Sequence, residues 1–329
     1  MENKILTISV AAYNLENMIK ENLDSFICCK EKENIEVIVT DDGSKDNTSK
    51  IVEEYEKKYP GIIKLVKQKN QGAGSTVNSG IKNAKGKYFK MIDGDDWVEP
   101  ENLDKLINYL KTIDVDMVIT NYETYNEESK EIIDKTKYSI IANNIQELDV
   151  ICEKNNFQMH NILYRTAILK ENNIKLDNGF YTDMEYLLLP IPYVKNAIYY
   201  NLDIYVYRIA RKGQSVSLPS MQKHIDMHRL VLNRLIRYYE ENKKILSKEV
   251  SNYMLRRICD MADTELATLL TFEMNKEQIQ SVKDYFKYIE KYDDLYKKFK
   301  KGKKEKLLLR SNFKLIKVAS KIVLKKYYK

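Results

Sequence analysis

Over the first 120 residues, five short apolar runs alternate with helix-patterned stretches. The pairs are Ile5 to Ala11 with Leu15 to Phe26, Ile35 to Val39 with Thr48 to Lys57, Ile62 to Val66 with Ser75 to Ala84, and Lys87 to Ile92 with Leu103 to Leu110. Met117 to Thr120 closes the series. Strands that are apolar throughout belong inside a sheet covered on both faces, and helical connections between them make the sheet parallel. The predicted architecture is α/β: a Rossmann-like, mostly parallel central sheet with helices on both faces. Ligands of such open sheets bind beyond the carboxyl ends of the strands. Three polar clusters fall there: Tyr13-Asn14 after the first strand, Asp41-Asp42-Gly43-Ser44 after the second, and Asp93-Gly94-Asp95-Asp96 after the fourth.

The third cluster places Asp93, Asp95 and Asp96 within four residues at the end of an apolar run. Gly94 permits a sharp turn, leaving Asp93 and Asp95 on one side of it. Mg²⁺ and Mn²⁺ favour oxygen ligands and commonly pair one or two carboxylates with substrate phosphates, so the turn predicts a divalent-cation site for a nucleotide-diphosphate substrate. In the second cluster, turn and capping chemistry accounts for Asp42, Ser44 and Asp46. Asp41 differs. A carboxylate at the last position of a buried strand is costly unless it accepts hydrogen bonds, and a nucleobase N–H is a suitable donor.

Asn70 to Gly80 contains Gly72-Ala73-Gly74 but lacks the third glycine of a dinucleotide fingerprint, since position 77 is Val, and it follows the third strand rather than the first. Small residues opening a helix either let a phosphate or ribose approach the backbone N–H groups or form a tight packing turn. Further on, Gly179 to Tyr186 sets Asp183 at the start of a predicted helix. Asp183 is there as a helix cap or, facing the metal rim, as a base that removes a proton from an acceptor hydroxyl.

The stretch Tyr122 to Asn144 is polar and reads as a surface excursion. Long, charge-rich helical patterns begin beyond Leu218, which puts a domain boundary at Ser217 to Ser220, dividing residues 1–217 from 218–329. Within the first domain, about 1–120 form one half and about 121–217 a second. The net charge of +7 is uneven: residues 297–329 carry fourteen Lys or Arg against Glu305 alone, leaving a mildly acidic body. Arg310, Lys314, Lys317, Lys321 and Lys325 recur at helical spacing beside Leu308, Leu315, Ala319, Ile322 and Val323, a basic amphipathic helix suited to an anionic membrane surface or to helix packing and self-association. Nothing in the pattern matches a nucleic-acid-binding module. Neither a signal sequence nor an apolar run long enough to span a bilayer is evident, so the expected location is cytoplasmic, peripheral at most on the inner face of the membrane. Cys28, Cys29, Cys152 and Cys259 lack disulfide or metal spacing, and three histidines are too few for a His-based metal centre.

Taken together, Ile8-Ser9-Val10 with Tyr13-Asn14, Asp41 to Asp46, Asn78 to Ile81 with Ala84 to Tyr88, and Asp93 to Trp97 resemble the family-2 glycosyltransferases of GT-A fold. The resemblance spans roughly residues 5 to 217. It implies an inverting, Mg²⁺- or Mn²⁺-dependent transferase moving a sugar, most often from UDP, to a hydroxyl of a glycan or lipid-linked acceptor in polysaccharide synthesis. Carried over, Asp41 binds uracil, Asp93 the ribose or sugar, Asp95 the metal, and Asp183 serves as base, although Thr182 stands where relatives have Glu. The expected donor-binding set is Ala11, Tyr13, Asp41, Gly72, Asn78, Asp93, Gly94 and Arg211. Val77 stands where relatives often have Arg. Arg208, Arg211 and Lys212 match a basic stretch of the family that could close over the diphosphate, the alternative being a solvated basic loop. Two alternatives stay open: a sugar nucleotidyltransferase, which would need a Gly-rich basic loop where Ala11 to Asn14 lie, and a non-catalytic nucleotide-sugar binding module.

Overall fold

A computed structural model describes residues 4–179, 181–210 and 217–327. The chain divides into two units, Met1–Lys212 and Gly213–Lys329. The first opens with β1 (Leu6–Ala12), α1 (Ile19–Ile27), β2 (Ile35–Asp41), α2 (Thr48–Lys58), β3 (Ile63–Lys67), α3 (Ala73–Asn83) and β4 (Tyr88–Asp93). It continues through β5 (Trp97–Val98), α4 (Pro100–Leu110), β6 (Met117–Asn126), β7 (Glu131–Lys135), β8 (Ile145–Glu147) and α5 (Leu148–Cys152). The unit ends with β9 (Ile162–Arg165), α6 (Thr166–Glu171), α7 (Thr182–Leu188) and β10 (Asn196–Ile209).

All ten strands join one sheet in the order β3-β2-β1-β4-β9-β6-β10-β5, with β7 on β6 and β8 on β10. β2, β1 and β4 are parallel neighbours and β3 is parallel to β2, as the alternation predicts. No residue of β1 or β2 is exposed, because helices cover both faces of these strands, whereas β3 at the sheet edge alternates. β9 then runs antiparallel to both β4 and β6, and β10 returns parallel to β6. One expectation needs correcting. The stretch after Tyr122 is not an irregular excursion from its start: β6 continues to Asn126, paired with β10 on one side and with β7 on the other. No residue of β6 is exposed, and the polar Thr120, Asn121 and Glu123 are buried, so polarity there does not mark surface.

The second unit is helical: α8 (Leu218–Lys223), α9 (Ile225–Asn242), α10 (Lys248–Leu269), α11 (Lys276–Glu290), α12 (Asp293–Phe299), α13 (Lys303–Arg310) and α14 (Ile316–Tyr327). Side-chain caps start two of them: Ser247 Oγ accepts from the Val250 N–H at 3.2 Å, and Asn275 Oδ1 from the Gln278 N–H at 2.9 Å. Leu232 and Leu235 of α9, Tyr253, Ile258 and Leu266 of α10, and Val282 and Ile289 of α11 form the core. Glu265, fully buried there, is held by Arg229 at 2.7 Å and His228 at 3.2 Å, which satisfies a charge that would otherwise be expensive to bury. No helix among the described residues is long and apolar enough to cross a membrane.

Candidate active site

Strand register builds the site. β1 sets Ala11 opposite Asp93 on one side and Ala12 opposite Asp41 on the other, so two carboxylate-bearing strand ends finish at the same rim. The acidic turn closes when the Asp96 N–H donates to the Asp93 carbonyl at 3.1 Å. Asn22, fully buried on α1, clamps it from below: its Nδ2 donates to the carbonyls of Asp93 at 3.2 Å and Asp96 at 2.7 Å. Gly94 is needed for crowding rather than for an unusual backbone angle. A Cβ there would lie 2.6 Å from the Ala11 carbonyl oxygen and 2.7 Å from Leu15 Cδ1. Gly94→Ala must therefore push β1 and the turn apart, with an expected loss of roughly 1–3 kcal/mol in denaturant unfolding and weaker binding at the rim. Unchanged stability would show that the crowding is relieved at no cost.

Beneath the turn lies a polar cluster contributed by β4, β10 and the turn before β9. The Tyr205 hydroxyl accepts from the Asp93 N–H at 3.2 Å and donates to Asp96 Oδ2, while Asp96 Oδ1 accepts from the Arg208 N–H at 2.8 Å. Burial, and then the neighbouring charges of Asp95 and Asp93, hold the Asp96 carboxyl well above the ordinary value of 3.8. His160 packs among Tyr122, Tyr205 and Tyr207, with ring centroids 4.9, 4.6 and 4.5 Å away. Its turn is bolted to β6 by Asn161, whose Nδ2 donates to the Thr120 carbonyl at 2.8 Å. Lys90, fully buried on β4, donates to the His160 carbonyl at 2.7 Å. Burial pushes this ammonium down to about 7, and burial together with the charge of Lys90 pushes the His160 imidazole down to about 3, so His160 stays neutral and able to ligate.

A cation fits this place. Ligand atoms of Asp93, Asp96 and His160 all lie within 4.8 Å of one another, and His160 Nδ1 is a buried nitrogen with no hydrogen-bond partner among the described residues. Two carboxylates and a neutral imidazole suit Mn²⁺ well and Mg²⁺ less so, since Mg²⁺ prefers oxygen. One histidine meets two aspartates here. Asp95, the sequence's candidate ligand, is half-buried beside the cluster but outside that mutual set.

On the nucleotide side, Asp41 is 4% exposed; its Oδ1 accepts from the Ser44 N–H at 3.0 Å, and no hydrogen bond involves Oδ2 among the described residues. Asp42 is structural, as expected: it accepts from Gln68 Nε2 at 2.7 Å and from the backbone of Gln71 at 2.9 Å and Gly72 at 2.8 Å. Asp46 likewise caps, accepting from the Thr48 N–H at 2.9 Å and the Glu16 N–H at 3.0 Å. Tyr13 is 44% exposed at the rim, next to Asn14, whose Oδ1 accepts from the Lys45 N–H at 2.8 Å and joins the two strand-end loops.

Three residues expected as donor or phosphate contacts are engaged within the chain. Gly72, at φ +90°, spends its N–H on Asp42, and a Cβ there would lie 3.1 Å from the Gly179 nitrogen. The chain at 177–179 crosses the start of α3, so the small residues serve packing rather than phosphate approach. Asn78 is consumed by Leu176: its Nδ2 donates to that carbonyl and its Oδ1 accepts from that N–H, both at 2.8 Å. Arg208 does not reach outward. It is 6% exposed, its Nε donates to the Asp95 carbonyl at 2.9 Å, its guanidinium pairs with Glu21 and Glu127, and it stacks 4.6 Å from the Trp97 ring centroid. Arg211 and Lys212 lie outside the described residues.

Asp183 sits in the first turn of α7, after Tyr181 at φ +69°. The adjoining chain is pinned by buried Glu185, whose Oε2 accepts from the Asp177 N–H at 2.8 Å. Tyr207 connects this helix to the acidic turn: burial raises its phenol above the ordinary value of 10.0, and so do the charges of Asp96, Asp93, Asp95 and Asp183. All four carboxylates therefore act on one hydroxyl. Lys90, His160, Tyr205 and Tyr207 were not singled out from sequence. Lys90 left a readable signal, being a lysine inside an otherwise apolar strand; the others did not.

A sheet that brings Asp41 and the acidic turn to one rim, with a helical region after it, is the GT-A architecture. The chain belongs to glycosyl transferase family 2, whose family model matches residues 7–172. It is 28% identical over 240 residues to glycosyltransferase GlyA of Streptococcus pneumoniae serotype 4, a match covering 69% of this chain but only 33% of GlyA. The cholesterol galactosyltransferase of Borreliella burgdorferi is 25% identical over 308 residues, covering 87% of this chain and 83% of that protein. Among solved structures, S. aureus TarS 1–349 in complex with UDP superposes with a TM-score of 0.65 at 19% identity, over 98% of this chain and 91% of that one.

Proposed function

We propose that the protein transfers a sugar with inversion from a nucleotide-diphosphate donor, UDP-linked, to a hydroxyl of a glycan or lipid-linked acceptor, in a divalent-metal-dependent reaction at a membrane surface. The observation that carries this reading is the gathering at one rim of Asp41 and the Asp93–Asp96 turn with His160; the charge of Asp183 on Tyr207 supports it. The UDP bound by TarS and the acceptor named for the Borreliella relative support the donor and acceptor classes. Residues 1–217 would carry donor and acceptor binding, and 218–329 acceptor, membrane or subunit contacts.

In this reading Asp41 accepts an N–H of the base, while Ala11, Tyr13, Asp93 and Gly94 line the ribose and sugar, and Asp95, with the neighbouring Asp93, Asp96 and His160, holds the cation. When bound, Mn²⁺ or Mg²⁺ neutralises charge developing on the departing diphosphate. Asp183 takes the proton of the attacking acceptor hydroxyl, and no protein nucleophile is needed. Tyr205 and Arg208 keep the acidic turn in place before substrate arrives, so little reorganisation remains for the reaction itself.

A thermal-shift comparison of UDP with Mn²⁺, UDP with EDTA and Mn²⁺ alone tests this. At a hundredfold excess over Kd, UDP with Mn²⁺ should stabilise the fold by about 2.7 kcal/mol. A UDP shift indifferent to EDTA would overturn the metal dependence, and no UDP shift under any condition would overturn the donor assignment.

A further inference from the structure

The basic carboxyl-terminal helix carries two apolar stripes rather than one. Ile316, Ala319 and Val323 face inward and are buried, 2–6% exposed, which gives α14 its seat in the helical unit. Leu315, just before the helix, and Val318 and Ile322 on it lie on the outside, 41%, 47% and 52% exposed. Of the stripe read from sequence, Ala319 and Val323 therefore pack inward while Leu315 and Ile322 do not. Side chains of this size left in water cost free energy unless a partner covers them.

Charge on the same face says what the partner is. Lys314, Lys317, Lys321 and Lys325 are all exposed around the outer stripe, and none forms an ion pair among the described residues. Beside them, a groove of about 500 Å³ is lined by Lys303, Lys306, Leu307, Arg310, Ser311 and Leu315. It joins three cations and a hydroxyl to the first residue of the apolar stripe. The single acid of the segment, Glu305, is turned inward: it is fully buried, 3.5 Å from Lys304, which also pairs with Asp263. Phe313, at φ +62° in the turn between α13 and α14, is fixed edge-on against Phe286 of α11 with ring centroids 5.1 Å apart. The groove and the stripe are thus set by the fold of the helical unit.

We propose, resting on the membrane-surface part of the proposed function and not on its transfer chemistry, that the outer face of α13 and α14 docks on an anionic phospholipid bilayer. Headgroup phosphates enter the Lys303–Lys306–Arg310 groove, and Leu315, Val318 and Ile322 sink among the upper acyl carbons. Interfacial helices bind in this way, with an apolar stripe below and lysines level with the phosphates.

Sedimentation of the full chain with vesicles tests the assignment. Binding is expected to phosphatidylcholine vesicles containing phosphatidylglycerol and not to phosphatidylcholine alone. The variant Leu315→Ser/Val318→Ser/Ile322→Ser, confined to exposed positions, should lose binding. Lys303→Gln/Lys306→Gln/Arg310→Gln should weaken partitioning by on the order of a hundredfold. Both variants should retain the parent's unfolding temperature and its response to UDP with Mn²⁺, which separates lost docking from lost folding. Vesicle binding unchanged by either triple substitution, or equal binding to neutral vesicles, would overturn the docking face. So would a serine variant that dissociates a dimer while still binding vesicles, because the stripe would then be a subunit contact. A failed UDP response with intact vesicle binding would sink the donor reading and leave the docking face standing.

Discussion

Asp183→Asn is expected to lower sugar transfer by about 10²- to 10⁴-fold, the usual contribution of a positioned general base. The substitution preserves size and hydrogen-bonding reach but removes the ability to take a proton. Asp183 lies in the first turn of α7, where the positive end of the helix dipole favours the carboxylate. Its charge acts on Tyr207 together with those of Asp93, Asp95 and Asp96. UDP binding in the presence of Mn²⁺ should stay at the parent value. Single-turnover transfer and a UDP titration on the same variant read the two quantities separately. Undiminished turnover would move the base elsewhere, and joint loss of turnover and UDP affinity would make Asp183 a donor contact.

The second large effect concerns the cation. Asp95→Asn should abolish the metal-dependent part of UDP stabilisation, with Mn²⁺ binding weakened by more than the roughly 10–100-fold that loss of an outer-shell partner alone costs. The Asp95 backbone is held by Arg208 Nε at 2.9 Å, so the variant should keep the turn and lose the charge. Asp96 is a different case. Both its oxygens are already engaged by Tyr205 and Arg208, so Asp96→Asn should lower stability as well as Mn²⁺ affinity. Titration of Mn²⁺ by electron paramagnetic resonance distinguishes these outcomes. If His160→Gln weakens Mn²⁺ and Asp95→Asn does not, the cation belongs to the Asp93–Asp96–His160 cluster without Asp95.

Some of the site could be read along the chain because its physics is local. Asp41 and Asp93 follow apolar runs directly, and a strand that ends in a carboxylate inside a parallel sheet has its ligand side fixed by topology. The turn at Asp46 was also legible, since it accepts from the Thr48 N–H two residues on, and Asp42 from the loop that follows the neighbouring strand. The intrachain contacts of Gly72 and Asn78 were illegible for one shared reason. Their partners, at 176–179, are about a hundred residues away, and a glycine or asparagine opening a helix looks the same whether a phosphate or another stretch of backbone covers it. The same holds for Arg208: its guanidinium pairs with Glu21 and Glu127, which nothing in its own segment announces.

The sequence by itself determined the parallel half of the sheet, the rim at which ligands gather and the acidic turn that marks it, because hydrophobic periodicity and strand-end carboxylates are written in consecutive residues. Only the tertiary structure decided that β9 enters antiparallel between β4 and β6, carrying His160 to the acidic turn. It also decided that Lys90, Tyr205 and Tyr207 lie beneath and beside that turn, and that α14 turns one of two apolar stripes outward. The physical reason is the same in each case: burial, ligand geometry and pairing depend on which distant segments share a volume, and that is fixed by packing rather than by neighbours in the chain.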